Sequence, residues 1–150
     1  MKALVQRVDR ASVAVADEVT GCISRGLVAL VGVAKGDSAK DIQYMAEKIV
    51  NLRIFSDDKG KFNLSLLDIN GGLLLISQFT LLADTHKGRR PSFIEAAPPA
   101  EAESLFNALI KACISSGLKV EAGRFQQHMI VEIVNNGPVT IMLDSRDKAG

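Results

Sequence analysis

Two hydroxyl groups and an amide interrupt an apolar run near the middle of the chain. The run is Leu73–Leu82, and it contains Ser77, Gln78 and Thr80. An unpaired polar group inside a core costs roughly 1–3 kcal/mol. These three side chains therefore either pair or line a cavity.

A second unusual stretch is Asn135-Asn136-Gly137-Pro138, which separates two apolar segments near the C-terminus. Asn-Gly between strands normally indicates a tight hairpin. Here a proline follows directly, and proline has no N–H to donate to a strand ladder. One interpretation is a plain loop in which Pro138 prevents edge pairing. The other is a rigid tip, with a cis peptide, that offers its backbone carbonyls to a ligand.

The sequence offers little for side-chain acid–base or metal chemistry. Its two histidines, His86 and His128, do not lie in the context of a nucleophile elbow, and we expect His128 to open a strand as a structural residue. Cys22 and Cys113 show no metal-ligand spacing. No glycine-rich phosphate loop follows a strand and opens a helix. We therefore predict neither a metal nor a cofactor.

A polar stretch, residues 83–93, contains the cations Lys87, Arg89 and Arg90 around Gly88. This composition predicts a surface loop. The loop either contacts nucleic-acid phosphates or is simply a solvated surface. The net charge of the chain is only +1, so any polyanion must be bound by such a local patch.

Hydrophobic periodicity predicts strands and two amphipathic helices. One helix begins at Ser38, where Ser-Ala-Lys-Asp has the form of a capping box, and the other begins at Pro98-Pro99. The predicted strands are Lys2–Val8, Ser12–Ala16, Leu27–Val33, Arg53–Phe55, Leu73–Leu82, Lys119–Ala122, His128–Val134 and Val139–Leu143. The economical architecture is one α+β domain with mostly antiparallel strands and two covering helices.

The length and the N-terminal residues set the remaining expectations. A chain of 150 residues fits a single domain. No export signal precedes Ala3, and no apolar run is long enough to span a bilayer. We expect a cytoplasmic protein with no membrane association.

Two motifs in order make the chain similar to a known family. Ser77-Gln78-Phe79-Thr80-Leu81, followed by Asn136-Gly137-Pro138-Val139-Thr140, resembles the D-aminoacyl-tRNA deacylase family. Supporting matches are Gln6-Arg7-Val8, Arg53-Ile54-Phe55-Ser56 and Arg90-Pro91-Ser92-Phe93. The similarity covers essentially the whole chain and leaves residues 145–150 as a short tail.

The resemblance implies a homodimeric hydrolase with a barrel-like antiparallel sheet flanked by helices. Its substrate would be the ester between a D-amino acid, or glycine mischarged on tRNA(Ala), and the terminal adenosine of tRNA. By resemblance, Gly137 and Pro138, preceded by Asn136, form a cis unit that enters the partner's active site and rejects L-aminoacyl groups. Arg7 would hold this tip, and Ser77, Gln78, Phe79 and Thr80 would line the pocket.

The catalytic group stays open between two candidates. Thr80 could act as a nucleophile, but no evident base activates its hydroxyl. Alternatively, backbone N–H groups near Phe79 and Thr80 stabilise the oxyanion while the ribose 2′-OH of the substrate helps to activate water. We favour the second mechanism.

Two alternatives to this function remain. One is a sister deacylase with a trans Gly-Pro unit that acts on misacylated L-alanyl-tRNA, and the other is a non-catalytic tRNA-binding domain. The chain also departs from the family pattern at Gln126-Gln127-His128, where many relatives carry small residues after the phenylalanine. We expect these bulkier side chains to alter the pocket.

Overall fold

Strands and helices follow one another along residues 1–147, the part of the chain that the computed structural model describes. The α+β architecture predicted from the sequence is confirmed. The strands are β1 Lys2–Val15, β2 Glu18–Ile23, β3 Gly26–Gly32, β4 Phe55–Ser56, β5 Phe62–Leu64, β6 Gly72–Ser77, β7 Lys119–Ala122 and β8 Ile130–Asp144, and the helices are α1 Ala39–Asn51, α2 Leu66–Ile69 and α3 Pro99–Ile114.

The main sheet is mixed and nearly closed. Its strand order is β2-β1-β3-β6-β7, with β8 on β1 as well. Strand β1 is antiparallel to each of its neighbours, whereas β3–β6 and β6–β7 are parallel. The parallel pairs arise because α1 lies in the connection from β3 to β6 and α3 in that from β6 to β7, and parallel neighbours need such long crossovers.

Strand β1 is continuous, so the prediction of two strands meeting at Asp9-Arg10 was wrong. The partner strand β8 runs along both halves of β1, pairing Lys2 with Asp144 at one end and Ala14 with Ile130 at the other. Register shifts around Val8 absorb the irregularity within the pairing. A long partner thus supplies the hydrogen bonds that the local sequence pattern does not reveal.

The predicted strands His128–Val134 and Val139–Leu143 are likewise one strand, β8. Gln6 pairs with Thr140 and Val8 with Asn135, so two steps along β1 correspond to five along β8. The three extra residues protrude from the ladder as a large bulge, which contains Gly137 and Pro138. The peptide bond between these two residues is cis. His128 does not open the strand, which begins at Ile130.

The predicted strand Leu73–Leu82 is shorter than expected. Strand β6 ends at Ser77, and residues Phe79–Leu82 form a 3₁₀ turn. The turn packs tightly on β3: a Cβ added to Gly32 would lie 2.3 Å from Leu82 Cδ2 and 3.0 Å from the Gln78 carbonyl oxygen. A side chain at Gly32 would therefore require the Leu82 side chain or the start of the turn to shift.

Both faces of β6 are buried, which explains its uninterrupted apolar sequence. Leu73 and Leu75 belong to the larger core cluster, which also contains residues of α1 and α3. Leu74 and Ile76 face a smaller cluster with Val8 and Val28 inside the curved sheet. The sheet thus separates a helix-covered core from a second core.

The helices begin where the sequence predicts. The Ser38 N–H donates to the Asp41 carboxylate at 2.8 Å ahead of α1, and Pro98-Pro99 opens α3.

Among the described residues, no helix is long and apolar enough to cross a membrane. Of the predicted tail, Ser145 is buried and donates to Asp41 at 2.7 Å, while residues 148–150 lie outside the described residues.

The two cysteines should differ sharply in reactivity. Cys22 is exposed, whereas Cys113 is buried in the helix-covered core, and this burial raises the pKa of its thiol from 9.0 to about 11. At pH 8 a thiol-reactive dye should therefore label Cys22 quickly and Cys113 only upon unfolding. A Cys22→Ser variant with a rapidly labelled thiol would contradict this.

The same burial predicts a pH effect on stability. A thiol whose pKa is higher in the folded state stabilises the fold fully below its unfolded pKa, and this contribution is lost as pH rises from about 9 to about 11. Chemical denaturation across this range should show a shallower loss of unfolding free energy in Cys113→Ala than in the unmodified chain. Equal slopes would contradict it.

Candidate functional site

A cavity of about 780 Å³ opens where β6 ends. One wall comes from the end of β6 and the 3₁₀ turn, a second from the start of α3 and the residues before it, and a third from the segment between β7 and β8. Most of the lining is apolar or aromatic, as is typical of small-molecule sites. The lining residues are Val33, Ile76, Ser77, Gln78, Phe79, Phe93, Ala96, Ala97, Pro98, Pro99, Ala102, Phe125, Gln126, Gln127, His128, Met129 and Val131.

The polar residues predicted for a pocket divide between two environments. Ser77, Gln78 and Phe79 line the cavity, and Thr80 is not among its lining residues. The side-chain amide of Gln78 donates to the Thr80 hydroxyl. Both interpretations of this stretch are therefore realised, since part of it lines a cavity and part pairs with itself. An amide N–H cannot take a proton from the Thr80 hydroxyl, so this contact supplies no general base.

The start of the 3₁₀ turn leaves two main-chain N–H groups, those of Phe79 and Thr80, without a backbone hydrogen bond among the described residues. The Gln78 N–H completes the sheet by donating to the Val31 carbonyl at 2.8 Å, and the first bond of the turn runs from Leu81 N–H to the Gln78 carbonyl at 3.2 Å. The N–H groups of Phe79 and Thr80 lie between these two bonds. The first N–H groups of a helical turn have no partner within it, so they can bind an oxygen that carries negative charge.

Sequence reasoning missed the wall around the start of α3. Ala96, Ala97 and Ala102 are small and leave room for the cavity, while Phe93 packs edge-on against Phe79 with the ring centroids 4.9 Å apart. The available signal was the cluster of alanine and proline before the helix. It predicted where the helix starts, but not that this end faces β6.

The departure from the family pattern lies on the cavity wall, as expected. Gln126, Gln127 and His128 all line the cavity. Gln126 has a φ of +61°, a conformation that favours glycine and costs an L-residue roughly 1–2 kcal/mol. Two amides and an imidazole thus give polar groups to an otherwise apolar cavity.

Side chains hold the bulge of β8 from behind. Arg7 donates from Nε to the Asn136 carbonyl at 2.9 Å and from Nη1 to the Ile54 carbonyl at 2.8 Å. The Asn136 amide donates to Asp9 at 2.7 Å, and the Val139 N–H donates to Asn135 Oδ1 at 2.8 Å. Arg7 thus binds the carbonyl of Asn136, the residue directly before Gly137. Neither residue of the tip lines the 780 Å³ cavity of its own chain.

A second, smaller cavity of about 180 Å³ lies beside the bulge. It contains the side chains of two arginines and one aspartate. Its lining residues are Arg7, Val8, Asp9, Arg25, Phe55, Ser56 and Asn136.

The basic loop protrudes from the rim of the large cavity. Two backbone hydrogen bonds between Asp84 and Ser92, at 2.7 and 2.9 Å, tie its ends together. Lys87, Arg89 and Arg90 are exposed at its far end. Phe93, the last residue of the loop, lines the cavity, so this end of the loop lies at the cavity wall.

Gly137 should tolerate a side chain poorly. Its φ is +139°, and an added Cβ would lie 2.8 Å from Val139 Cγ2 and 3.0 Å from Arg7 Nη2. Gly60 also has a positive φ, +73°, but nothing lies within 4 Å of an added Cβ there. Gly137→Ala should therefore lower the unfolding free energy by more than Gly60→Ala, for which we expect about 1–2 kcal/mol from the backbone alone. Equal losses in chemical denaturation would contradict this packing argument.

Comparison with known proteins agrees with these features. The model of the D-Tyr-tRNA(Tyr) deacylase family matches residues 4–144. The chain is 60% identical over 148 residues to a D-aminoacyl-tRNA deacylase of Dehalococcoides mccartyi BAV1, covering 99% of this chain and 97% of that protein. It is 56% identical to a D-aminoacyl-tRNA deacylase of Thermosipho africanus, covering 97% and 98%.

Solved structures show the same fold. A protein described as c-Myc DNA Unwinding Element Binding Protein aligns with a TM-score of 0.90 at 40% identity, covering 96% of this chain and 98% of that one. A probable eukaryotic D-amino acid tRNA deacylase aligns with a TM-score of 0.81 at 16% identity, covering 95% and 97%. With the family match over nearly its whole length, the chain belongs to the D-Tyr-tRNA(Tyr) deacylase family.

Proposed function

We propose that residues 1–150 form one cytoplasmic domain that hydrolyses the ester of D-aminoacyl-tRNA, and of glycyl-tRNA mischarged on tRNA(Ala), to free tRNA and amino acid. The observation that carries this proposal is the largely apolar cavity at the end of β6, which Phe79, the first residue of the 3₁₀ turn, helps to line. Such a pocket fits a nucleoside and an amino-acid side chain of varied chemistry. The names of the relatives in the family support the substrate class.

The tip of β8 would act on the cavity of a second copy. Gly137 and Pro138 do not line the cavity of their own chain, so their action on a substrate requires another protomer. Strand β8 pairs only with β1 among the described strands, and its other edge is free. Met142 and Ile130, on this strand, are 53% and 63% exposed. An unpaired edge with exposed apolar side chains favours association, and we propose a homodimer.

Chiral selection would come from main-chain atoms of this tip. An enzyme that accepts many side chains but one handedness must fix the α-amino and carbonyl groups of the substrate. Carbonyl groups on the tip can accept hydrogen bonds from the amino group, and the missing Cβ of Gly137 permits close approach. Arg7 and Asn135 hold the bulge in place from both ends. The side chain of an L-amino acid would then collide with the tip.

Backbone donors would carry the chemistry. The N–H groups of Phe79 and Thr80 would stabilise the oxyanion that forms when water attacks the ester carbonyl. The ribose 2′-OH of the substrate would help to activate this water. The proton of the water passes to the leaving 3′ oxygen of the ribose, so the products are the free amino acid and tRNA. The contact between Thr80 and the Gln78 amide supports this mechanism over a threonine nucleophile.

The basic loop would guide the tRNA. Lys87, Arg89 and Arg90 are exposed on a projection beside the cavity, where they can contact phosphates of the acceptor stem. Such contacts depend on salt and carry little information about base sequence.

A panel of matched substrates tests the function. We expect rapid hydrolysis of D-alanyl-tRNA and glycyl-tRNA and no acceleration with L-alanyl-tRNA, because glycine has no side chain to collide with the tip. Preferential cleavage of L-alanyl-tRNA would instead support the sister deacylase. Binding of tRNA without any cleavage would support the non-catalytic domain.

A pair of changes separates the two catalytic mechanisms. Thr80→Ala should keep most of the hydrolytic rate, since its backbone N–H remains, whereas D-aminoacyl-tRNA with a 2′-deoxy terminal adenosine should be almost inert. Single-turnover rates measure both effects. Loss of about 10³-fold or more in Thr80→Ala, with normal cleavage of the deoxy substrate, would support the threonine nucleophile.

A further inference from the structure

The small cavity beside the bulge contains an arginine without a charged partner. Arg25 lies with its guanidinium carbon 5.5 Å from the centre of the Phe55 ring. Among the described residues its guanidinium makes no salt bridge and no hydrogen bond, whereas its backbone carbonyl accepts from the Gly72 N–H at 3.0 Å. A guanidinium has five N–H donors in a planar fork that suits a phosphate. The contact with the Phe55 ring occupies none of these N–H donors.

The other polar groups of the cavity give it an excess of positive charge. Arg7 is fixed by two backbone carbonyls, and its remaining Nη2 points towards the bulge. Asp9 is the one acidic residue among the described residues of the lining, and it accepts a hydrogen bond from Asn136. Two guanidinium groups against one carboxylate leave a formal charge of +1, and the Ser56 hydroxyl offers a further donor. The cavity therefore suits a singly charged anion such as a phosphodiester.

We propose that this cavity binds a backbone phosphate of the single-stranded 3′ end of tRNA, with Arg25 as the principal contact. The inference rests on the proposed function, which brings the tip of β8 into the cavity of the partner protomer. Arg7 and Asn136 border the small cavity and also hold this tip, so the small cavity lies next to the tip. When the tip enters the partner's cavity, the small cavity would lie beside the partner's substrate. Each protomer then contributes two features to the neighbouring site: the tip that selects the chirality of the amino acid, and a cation that binds the RNA backbone.

A binding assay that needs no ester cleavage tests the proposal. The probe is uncharged tRNA ending in CCA, titrated at several salt concentrations. Each phosphate contact on a single strand contributes about 0.7 to the slope of log affinity against log salt. Arg25→Gln should weaken binding and reduce this slope by about 0.7, whereas Arg25→Lys, which keeps the charge, should keep the slope. Arg146→Gln is the matched control, since Arg146 is exposed, lines neither cavity and removes the same charge.

A second probe locates the contact. With tRNA that lacks the CCA end, Arg25→Gln and the unmodified chain should bind with the same slope. An effect that persists on this truncated tRNA would assign Arg25 to the duplex stem and overturn the proposal. An unchanged slope of Arg25→Gln on intact tRNA would overturn it as well, as would a slope that Arg25→Lys fails to keep.

These results are separable from those of the hydrolysis panel. If the chain cleaves D-alanyl-tRNA but Arg25→Gln binds like Arg146→Gln, the proposed function stands and the phosphate site is wrong. If intact tRNA binds with an Arg25-dependent slope but no ester is cleaved, the phosphate site stands and the proposed function fails.

Discussion

The pairing of β1 with β8 is the constraint on which the rest of the structure depends. These two strands run antiparallel from Lys2 and Asp144 to Ala14 and Ile130. The ladder on both sides of the bulge fixes its two ends, so the three extra residues of β8 cannot relax by a shift in register. Arg7, which lies on β1 at the level of the bulge, then reaches its backbone directly. A long regular pairing thus supports a short irregular segment that has little room to move.

The end of β6, in contrast, does not depend on a long regular strand pairing. Here the chain leaves the sheet early, and the exit is tightly packed because Gly32 lets the 3₁₀ turn lie against β3. The turn begins at Phe79, which lines the cavity, and its first main-chain N–H groups make no backbone hydrogen bond among the described residues. A site built from backbone groups is insensitive to protonation near neutral pH, and its geometry is set by the sheet beneath it.

The sequence predicts the elements of this fold well where a single segment determines them. The capping box at Ser38 and the proline pair at Pro98-Pro99 depend on local chemistry, and both helices begin where expected. Errors occurred where a distant partner decides the outcome. The continuity of β1 comes from β8, and the early end of β6 comes from packing against Gly32. Neither partner can be identified from periodicity within the segment.

In the candidate site, too, features set by the local sequence were predicted and features set by distant contacts were not. The resemblance predicted that Ser77, Gln78, Phe79 and Thr80 would line a pocket; the first three line the cavity, and Thr80 is not among its lining residues. The alanines near the start of α3 were missed, since small apolar residues look alike whether they fill a core or border a cavity. Their role depends on which end of the helix faces the sheet, and this is a property of the tertiary fold.

The close packing at Gly32 means that a substitution outside the cavity can affect the turn that helps to line it. Gly32 does not line the cavity, yet any side chain there would push against Leu82 and the carbonyl of Gln78. A substitution at Gly32, the last residue of β3, would thus disturb the packing of the turn from outside the cavity. Variant surveys restricted to the cavity surface would overlook this position.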